Sequence, residues 1–270
     1  MKAPSTGLPD HEARRLVQLA TGLDATGVAM RDELTDVEAA AFAGYVDRRL
    51  RGEPLQYIEG TVQFGPIEVR VDPRVLIPRP ETEVLWERAV AALGTADENT
   101  VIVDIGTGSG ALALALKHAF PDARVYATDV DADALDLARE NVEQAGVTVL
   151  GGDLFGALPF GMRGHVDLLV SNPPYVADGD DLPAEVGEHE PARALFAGPV
   201  GDEILVRLAE QAFYWVKPGG WVFIEIGETQ ADRAMELFAD FQCVVYQDLA
   251  GKPRILAGYR GATSCIEGNR

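Results

Sequence analysis

Cysteine is almost missing from this chain of 270 residues, which has only Cys243 and Cys265. Two such distant thiols build neither a disulfide framework nor a metal-binding spacing, which points to a reducing compartment. Histidine is nearly as scarce: His11, His118, His165 and His189 are scattered and form no ligand cluster. No metal site is expected. No apolar run approaches the roughly eighteen residues of a membrane span, and the N-terminus has no apolar signal core. A soluble, cytoplasmic protein without membrane partners is expected. Bases are also in deficit, with 23 Lys and Arg against 43 Asp and Glu, a formal charge of −20. Such a surface is a poor match for nucleic acid, because binding there rests on Lys and Arg neutralising phosphates. It would suit a basic protein partner, although acidity also serves solubility alone. Internal repeats and low-complexity tracts are absent.

What is present is an ordinary apolar content of 47%, enough over this length for one large domain and a small one. Residues 1–9, with Pro4, Gly7 and Pro9, read as a loose start. A short helix is predicted over 10–20, with Asp10 as its cap. A second is predicted over 35–50, where Thr35 and Glu38 fit a capping box and Val37, Ala40, Ala41, Gly44, Tyr45 and Leu50 make the inner face. Gly52 and Pro54 end it. The runs 61–64 and 67–71, split by Gly65-Pro66, read as a hairpin. Pro73, Pro78 and Pro80 punctuate a linker before a helix over 81–93. From Thr100 onwards strands (101–103, 124–128, 147–150, 166–170, 221–226) alternate with helices (111–119, 131–145, 202–215, 229–241). Residues 244–247 and 254–258 read as a closing antiparallel pair. This alternation implies an α/β fold with a doubly wound, mainly parallel sheet. The small, polar tail after Arg260 is expected to be disordered.

Asp104-Ile105-Gly106-Thr107-Gly108-Ser109-Gly110 follows the first strand of this alternation and opens a helix. Glycines permit positive φ and a close approach of ligand to backbone. The carboxyl edge of an open α/β sheet is where such folds bind ligands. Asp129 ends the next strand, nineteen residues after Gly110, where an acid can accept both ribose hydroxyls. Two nucleoside cofactors fit the turn. Gly106-x-Gly108-x-x-Ala111 satisfies the loose dinucleotide fingerprint, so NAD stays open. The pattern Asp-x-Gly-x-Gly-x-Gly resembles instead the turn of class I methyltransferases, where the amino acid end of S-adenosylmethionine meets it. Asp153, with Leu154 beside it, follows the third strand; in that superfamily an acid here would meet the adenine amino group.

Asn172-Pro173-Pro174-Tyr175 follows the strand 166–170. Two prolines stop a ladder and stiffen the turn, so Asn172 projects from the carboxyl edge beside the glycine turn. An amide or aryl amino nitrogen is a poor nucleophile because its lone pair is delocalised. The Asn172 oxygen and the Pro173 carbonyl can accept its two N–H bonds and aim that lone pair at an activated methyl group. The Tyr175 ring can pack flat on the planar group. Catalysis is then mainly positioning, with acceptors that tighten as charge develops.

Over roughly residues 50 to 260 these motifs resemble the HemK/PrmC family, the protein-(glutamine amide) methyltransferases. The most specific pieces are Leu76-Ile77-Pro78-Arg79-Pro80-Glu81-Thr82-Glu83, Asp104–Gly110 and Ser171–Tyr175; Gly52–Ile58 and Phe64-Gly65 also look like the family's linker. The resemblance implies a Rossmann-like class I methyltransferase with a seven-stranded sheet over 79–260, a hairpin linker over 55–78, a helical recognition domain over 1–54 and a tail over 261–270. It implies S-adenosyl-L-methionine as cofactor, met by Asp104, Gly106, Thr107, Gly108, Ser109, Gly110, Asp129, Asp153, Leu154 and Asn172. It implies a substrate, the glutamine of the Gly-Gly-Gln loop in class I peptide-chain release factors, held by Asn172–Tyr175. Arg79, Glu81 and Thr82 would line the cleft, though a capped helix start explains them equally. The family's N-terminal bundle is usually longer than the stretch here. A monomer is expected. Two alternatives remain, a glutamine methyltransferase for a ribosomal protein and a nucleic-acid amino-methyltransferase; the second sits badly with the charge of −20.

Overall fold

In the computed structural model, which describes residues 6–262, the chain begins with four helices: α1 (Asp10–Thr21), α2 (Ala25–Ala29), α3 (Asp36–Leu50) and α4 (Leu55–Glu59). Two of them, α2 and α4, are too short for a sequence periodicity to reveal. Leu16, Val17, Phe42, Leu55 and Ile58 form their shared core. The capping box on α3 is complete, with Thr35 Oγ1 accepting from the Glu38 N–H and Glu38 accepting from the Thr35 N–H at 2.8 Å. Its inner face differs from the expectation. Phe42 is buried, with Tyr45 and Val46 packed beside it, whereas Val37 and Leu50 are 80% and 58% exposed and Ala40 and Gly44 also face solvent. A helix this polar tolerates several registers of its apolar residues, and packing against α1 selected the Phe42 stripe. Asp10 is the first helical residue and makes no cap; Pro9 precedes it. No helix among the described residues is long and apolar enough to cross a membrane.

The expected hairpin follows, β1 (Thr61–Phe64) and β2 (Ile67–Arg70), with Thr61 opposite Arg70 and Phe64 opposite Ile67. It buries Phe64, Ile67 and Val69 in the main core. After the linker come α5 (Pro80–Leu93), β3 (Val101–Ile105), α6 (Ala111–Ala119), β4 (Arg124–Asp129), α7 (Ala132–Val142), β5 (Thr148–Gly151) and β6 (Val166–Ser171). Asn141 of α7 bonds both backbone groups of Arg70 and so ties the hairpin to the sheet domain. Residues 176–198 carry elements the sequence did not reveal: β7 (Val176–Ala177), α8 (Ala184–His189), α9 (Ala192–Leu195) and β8 (Phe196–Gly198). The chain closes with α10 (Glu203–Trp215), β9 (Val216–Glu225), α11 (Ala231–Leu237), β10 (Gln242–Gln247) and β11 (Pro253–Tyr259).

The main sheet has seven strands in the order β10-β11-β9-β6-β3-β4-β5. Strands β5, β4, β3, β6 and β9 run parallel; β11 pairs antiparallel with β9 and with β10, so β11 alone runs against the others. Every residue of β3 and β6 is buried, as a sheet covered on both faces requires. The period of two sorts them: Ile102, Leu168 and Val170 join the core under α5, α6 and the hairpin, whereas Val103, Ile105 and Leu169 join the core under α10 and α11. The order reverses between β3 and β6, so the carboxyl ends of these two strands border the crevice where such folds bind ligands. Residues 263–270 of the expected disordered tail, with Cys265, lie outside the described residues.

Candidate active site

The glycine turn leaves β3 at its carboxyl end and is pinned to β4, the Thr128 carbonyl accepting from the N–H groups of Gly106 and Thr107 at 2.8 and 2.9 Å. Gly106, Gly108 and Gly110 all have positive φ. Their roles then diverge. A Cβ on Gly106 or Gly108 would meet no atom within 4 Å, because both border a cavity. A Cβ on Gly110 would stand 3.1 Å from Val142 Cγ1, and Gly110 does not line the cavity. It lets α6 pack close to α7.

Asp104, Thr107 and Ser109 line the same cavity. The Asp104 carboxyl is buried, accepts a 2.6 Å bond from the Thr107 hydroxyl, and is pushed up to about 7 by its loss of water. Asp129 lines the cavity as well. Its two oxygens take the N–H groups of Gly108 and Asp131, each at 2.9 Å, so the acid expected to meet ribose also clamps the glycine turn. Asp153 and Leu154 complete that wall. The Asp153 side chain is 57% exposed and pairs with Arg207 at 2.5 Å. Leu154 has φ 48, the one non-glycine residue with positive φ among those described. Strain of this kind, worth about 1–3 kcal/mol, survives only where surrounding structure fixes it, and it tends to occur at ligand sites.

Across the cavity stands the Asn-Pro-Pro corner. Ser171 at the end of β6 donates to the Ile105 carbonyl at 2.7 Å, so the residues before the corner are bonded to those before the glycine turn. Asn172, Pro173 and Pro174 border both the large cavity and a smaller one beside it. Tyr175 lines only the smaller one, where burial pushes its phenol up to about 12. Leu182, Pro183 and Val186 also border that smaller cavity, so the 176–198 segment the sequence left unread forms part of the site.

The three residues at the head of α5 have distinct places. Thr82 is buried and borders the large cavity, accepting from Asn172 Nδ2 at 3.0 Å and donating to Glu225 Oε2 at 2.6 Å. Arg79 borders the smaller cavity and binds Glu190 Oε1 at 2.6 Å, while the Ile77 N–H meets the other oxygen of that carboxylate. Glu81 borders neither cavity. None of the three caps the helix; Arg79 itself is the cap residue and makes no side-chain cap bond. Glu190 and Glu225 were missed in the sequence. Their signal was weak: Glu225 is one acid in the apolar run Trp221–Ile226, and Glu190 lies in an acidic loop. Among the described residues no group of three or more His, Cys, Asp or Glu could hold a metal ion.

Residues 83–189 match the Methyltransferase small domain family, and residues 2–60 match the PrmC N-terminal domain. The likeness therefore reaches further towards the N-terminus than the motifs alone suggested. Among solved structures, a methyltransferase from Pyrococcus furiosus superposes with a TM-score of 0.54 at 21% identity, covering 81% of this chain and 99% of that one. A Thermus thermophilus 16S rRNA N2 G1207 methyltransferase, solved with AdoMet and guanosine, gives 0.54 at 20%, covering 74% and 49%. These show the class I methyltransferase fold alone. The release factor glutamine methyltransferase of Mycolicibacterium smegmatis is 40% identical over 270 residues, covering 98% of this chain and 95% of its own. That of Corynebacterium glutamicum is 38% identical over 252 residues, covering 91% and 89%. Identity at this level along nearly the whole of both chains decides the family: the chain belongs to the release factor glutamine methyltransferases.

Proposed function

We propose that this protein transfers a methyl group from S-adenosyl-L-methionine to the side-chain amide nitrogen of the glutamine in the Gly-Gly-Gln loop of class I release factors. The observation that carries the reading is the cavity shared by the glycine turn and the Asn172–Pro174 corner. The donor set fits the cofactor. Gly106 and Gly108 leave open space where a side chain would stand, Asp129 offers carboxylate oxygens, and Leu154 adds an apolar wall. When bound there, the cofactor supplies a methyl group activated by a sulfonium charge. The protein's task is placement. Asn172 accepts one N–H of the substrate amide through its side-chain oxygen, and Pro173 accepts the other through its carbonyl. The lone pair so freed from the amide plane would form the new N–C bond as the methyl–sulfur bond breaks, its electron pair going to sulfur, and one N–H proton would pass to solvent. Acceptors that strengthen as charge develops on nitrogen lower the barrier selectively. Tyr175, from the smaller cavity, gives a flat wall for the substrate. The helical segment 1–54 and the hairpin grip the partner, and the segment 79–260 holds cofactor and glutamine. A surface of charge −20 favours a basic protein over nucleic acid.

The test is incubation of the full chain with labelled cofactor and, in separate reactions, a release factor, the same factor with its Gly-Gly-Gln glutamine replaced, a ribosomal protein, and DNA. Label is expected in the intact release factor alone, with mass spectrometry placing one added methylene on the loop peptide. Label in the ribosomal protein or in DNA but not in the release factor would overturn the assignment.

A further inference from the structure

Glu225 ends β9 and is 1% exposed, yet the chemistry above gives it no part. Its Oε2 accepts from the Thr82 hydroxyl at 2.6 Å, and the Thr82 oxygen accepts from Asn172 Nδ2 at 3.0 Å. The three residues lie on β9, the head of α5 and the corner after β6, so only the fold brings them into line. An ionised carboxylate can only accept hydrogen bonds. It therefore commits the Thr82 proton to itself and leaves Thr82 with lone pairs alone to offer. A carboxamide facing lone pairs must present its NH₂ end. The Asn172 oxygen is turned away from Thr82 as a consequence, and an oxygen is what a substrate NH₂ group needs.

Protonation of Glu225 removes this constraint. The acid could then donate to Thr82, whose hydroxyl hydrogen would be free to seek the Asn172 oxygen. A carboxamide flipped in that way would offer NH₂ to NH₂ across the site.

We propose that Glu225 and Thr82 are positioning residues that fix the carboxamide orientation of Asn172, so that its oxygen meets the nitrogen to be methylated. The inference rests on the function proposed above. The other groups that act on Glu225 are Glu81 of α5, Arg79 just ahead of it, Arg254 of β11 and Tyr175 after the corner. Burial dominates and, with Glu81, raises the carboxyl to about 7 against the pull of Arg254 and Arg79. The switch between the two arrangements thus falls near neutrality.

The experiment compares wild type with Thr82→Val, Thr82→Ser and Glu225→Gln in the full chain. The readouts are kcat and KM for a release factor across pH, cofactor affinity by calorimetry, and the Asn172 side-chain amide signals in ¹⁵N-labelled protein, assigned by their loss in Asn172→Asp. In wild type, kcat is expected to fall as pH drops through about 7, and the Asn172 amide signals to move over the same range. Thr82→Val should lower kcat by roughly tenfold or more, with KM and cofactor affinity little changed, and should abolish both pH effects. Glu225→Gln should abolish them too. Thr82→Ser, which keeps the hydroxyl, should restore most of the rate and the pH response. Wild-type kcat in Thr82→Val, failure of Thr82→Ser to rescue, or a pH response that survives unchanged in Thr82→Val and Glu225→Gln would overturn the proposal. The amide signals need no turnover. Absence of methyl transfer by the wild type would sink the proposed function, while those signals would still decide the positioning pair.

Discussion

Asn172 donates to Thr82 at 3.0 Å and borders the cavity that the glycine turn also borders. In the mechanism proposed above its contribution is an acceptor aligned with a nitrogen that must lose amide resonance. In Asn172→Ala one substrate N–H is left unpaired at a cost of about 1–3 kcal/mol, which is roughly tenfold to a hundredfold in kcat. Calorimetry should find cofactor affinity nearly unaltered, and turnover equal to wild type would remove the mechanism. Asp129 works at the other end of the site. Its carboxylate holds the Gly108 N–H at 2.9 Å while lining the cavity, so Asp129→Ala loses a turn clamp and, in the proposed function, a ligand acceptor together. Weaker cofactor binding is the expected outcome, and a dissociation constant matching wild type would refute it. The positions of both residues were legible in the sequence, because Asp129 ends a strand and Asn172 follows one, each beside a motif whose local geometry is self-contained. Glu225 was not, since an acid in a strand is read as part of a solvent-facing alternation until the second covered face is known.

Elements position these residues through close backbone packing. The turn from β3 into α6 uses three glycines of like φ but unlike surroundings. Replacement by alanine costs about 1 kcal/mol of left-handed strain at any of them. Gly110→Ala adds a tight 3.1 Å contact with Val142 on α7, which must give by a few tenths of an ångström, while Gly106→Ala adds a methyl group to the cavity. Gly110→Ala should therefore melt lower than Gly106→Ala, and Gly106→Ala should bind the cofactor more weakly than Gly110→Ala. A thermal melt and a titration of each check this, and the reverse order would contradict the division of labour. The same contrast marks what sequence could say of elements. The capping box of α3 is a four-residue pattern and was read correctly. The face α3 buries depends on α1, and there the expected inner residues Val37 and Leu50 proved exposed.

At the scale of the molecule, buried carboxyls make stability depend on pH. Asp104 and Glu225 are each raised to about 7 from ordinary values of 3.8 and 4.5. Between those values and 7 the folded protein keeps protons that the unfolded chain releases, so stability from these groups falls as pH rises through that window. Glu12, Glu53 and Asp72 are held low by hydrogen bonds to arginine and act the other way, losing their contribution in acid. The ligand-free protein should accordingly melt higher as pH is taken from about 8 to about 5.5, and a doubly substituted Asp104→Asn, Glu225→Gln chain should show a shallower rise. An equally steep rise in that variant would show that general relief of the −20 surface charge is responsible instead.

The sequence by itself determined the alternating architecture, the glycine turn, the proline-stiffened corner and the acid at the end of β4. Each is a property of a few consecutive residues, where backbone torsions and short-range hydrogen bonds follow from residue type. Tertiary structure alone decided that Thr82 meets Glu225 across 143 positions, that Arg79 meets Glu190 across 111, and that Gly110 packs against α7. Such pairings depend on which strands become neighbours and how closely helices pack on them. That is settled by burial summed over the whole sheet, a sum that no local pattern of residues contains.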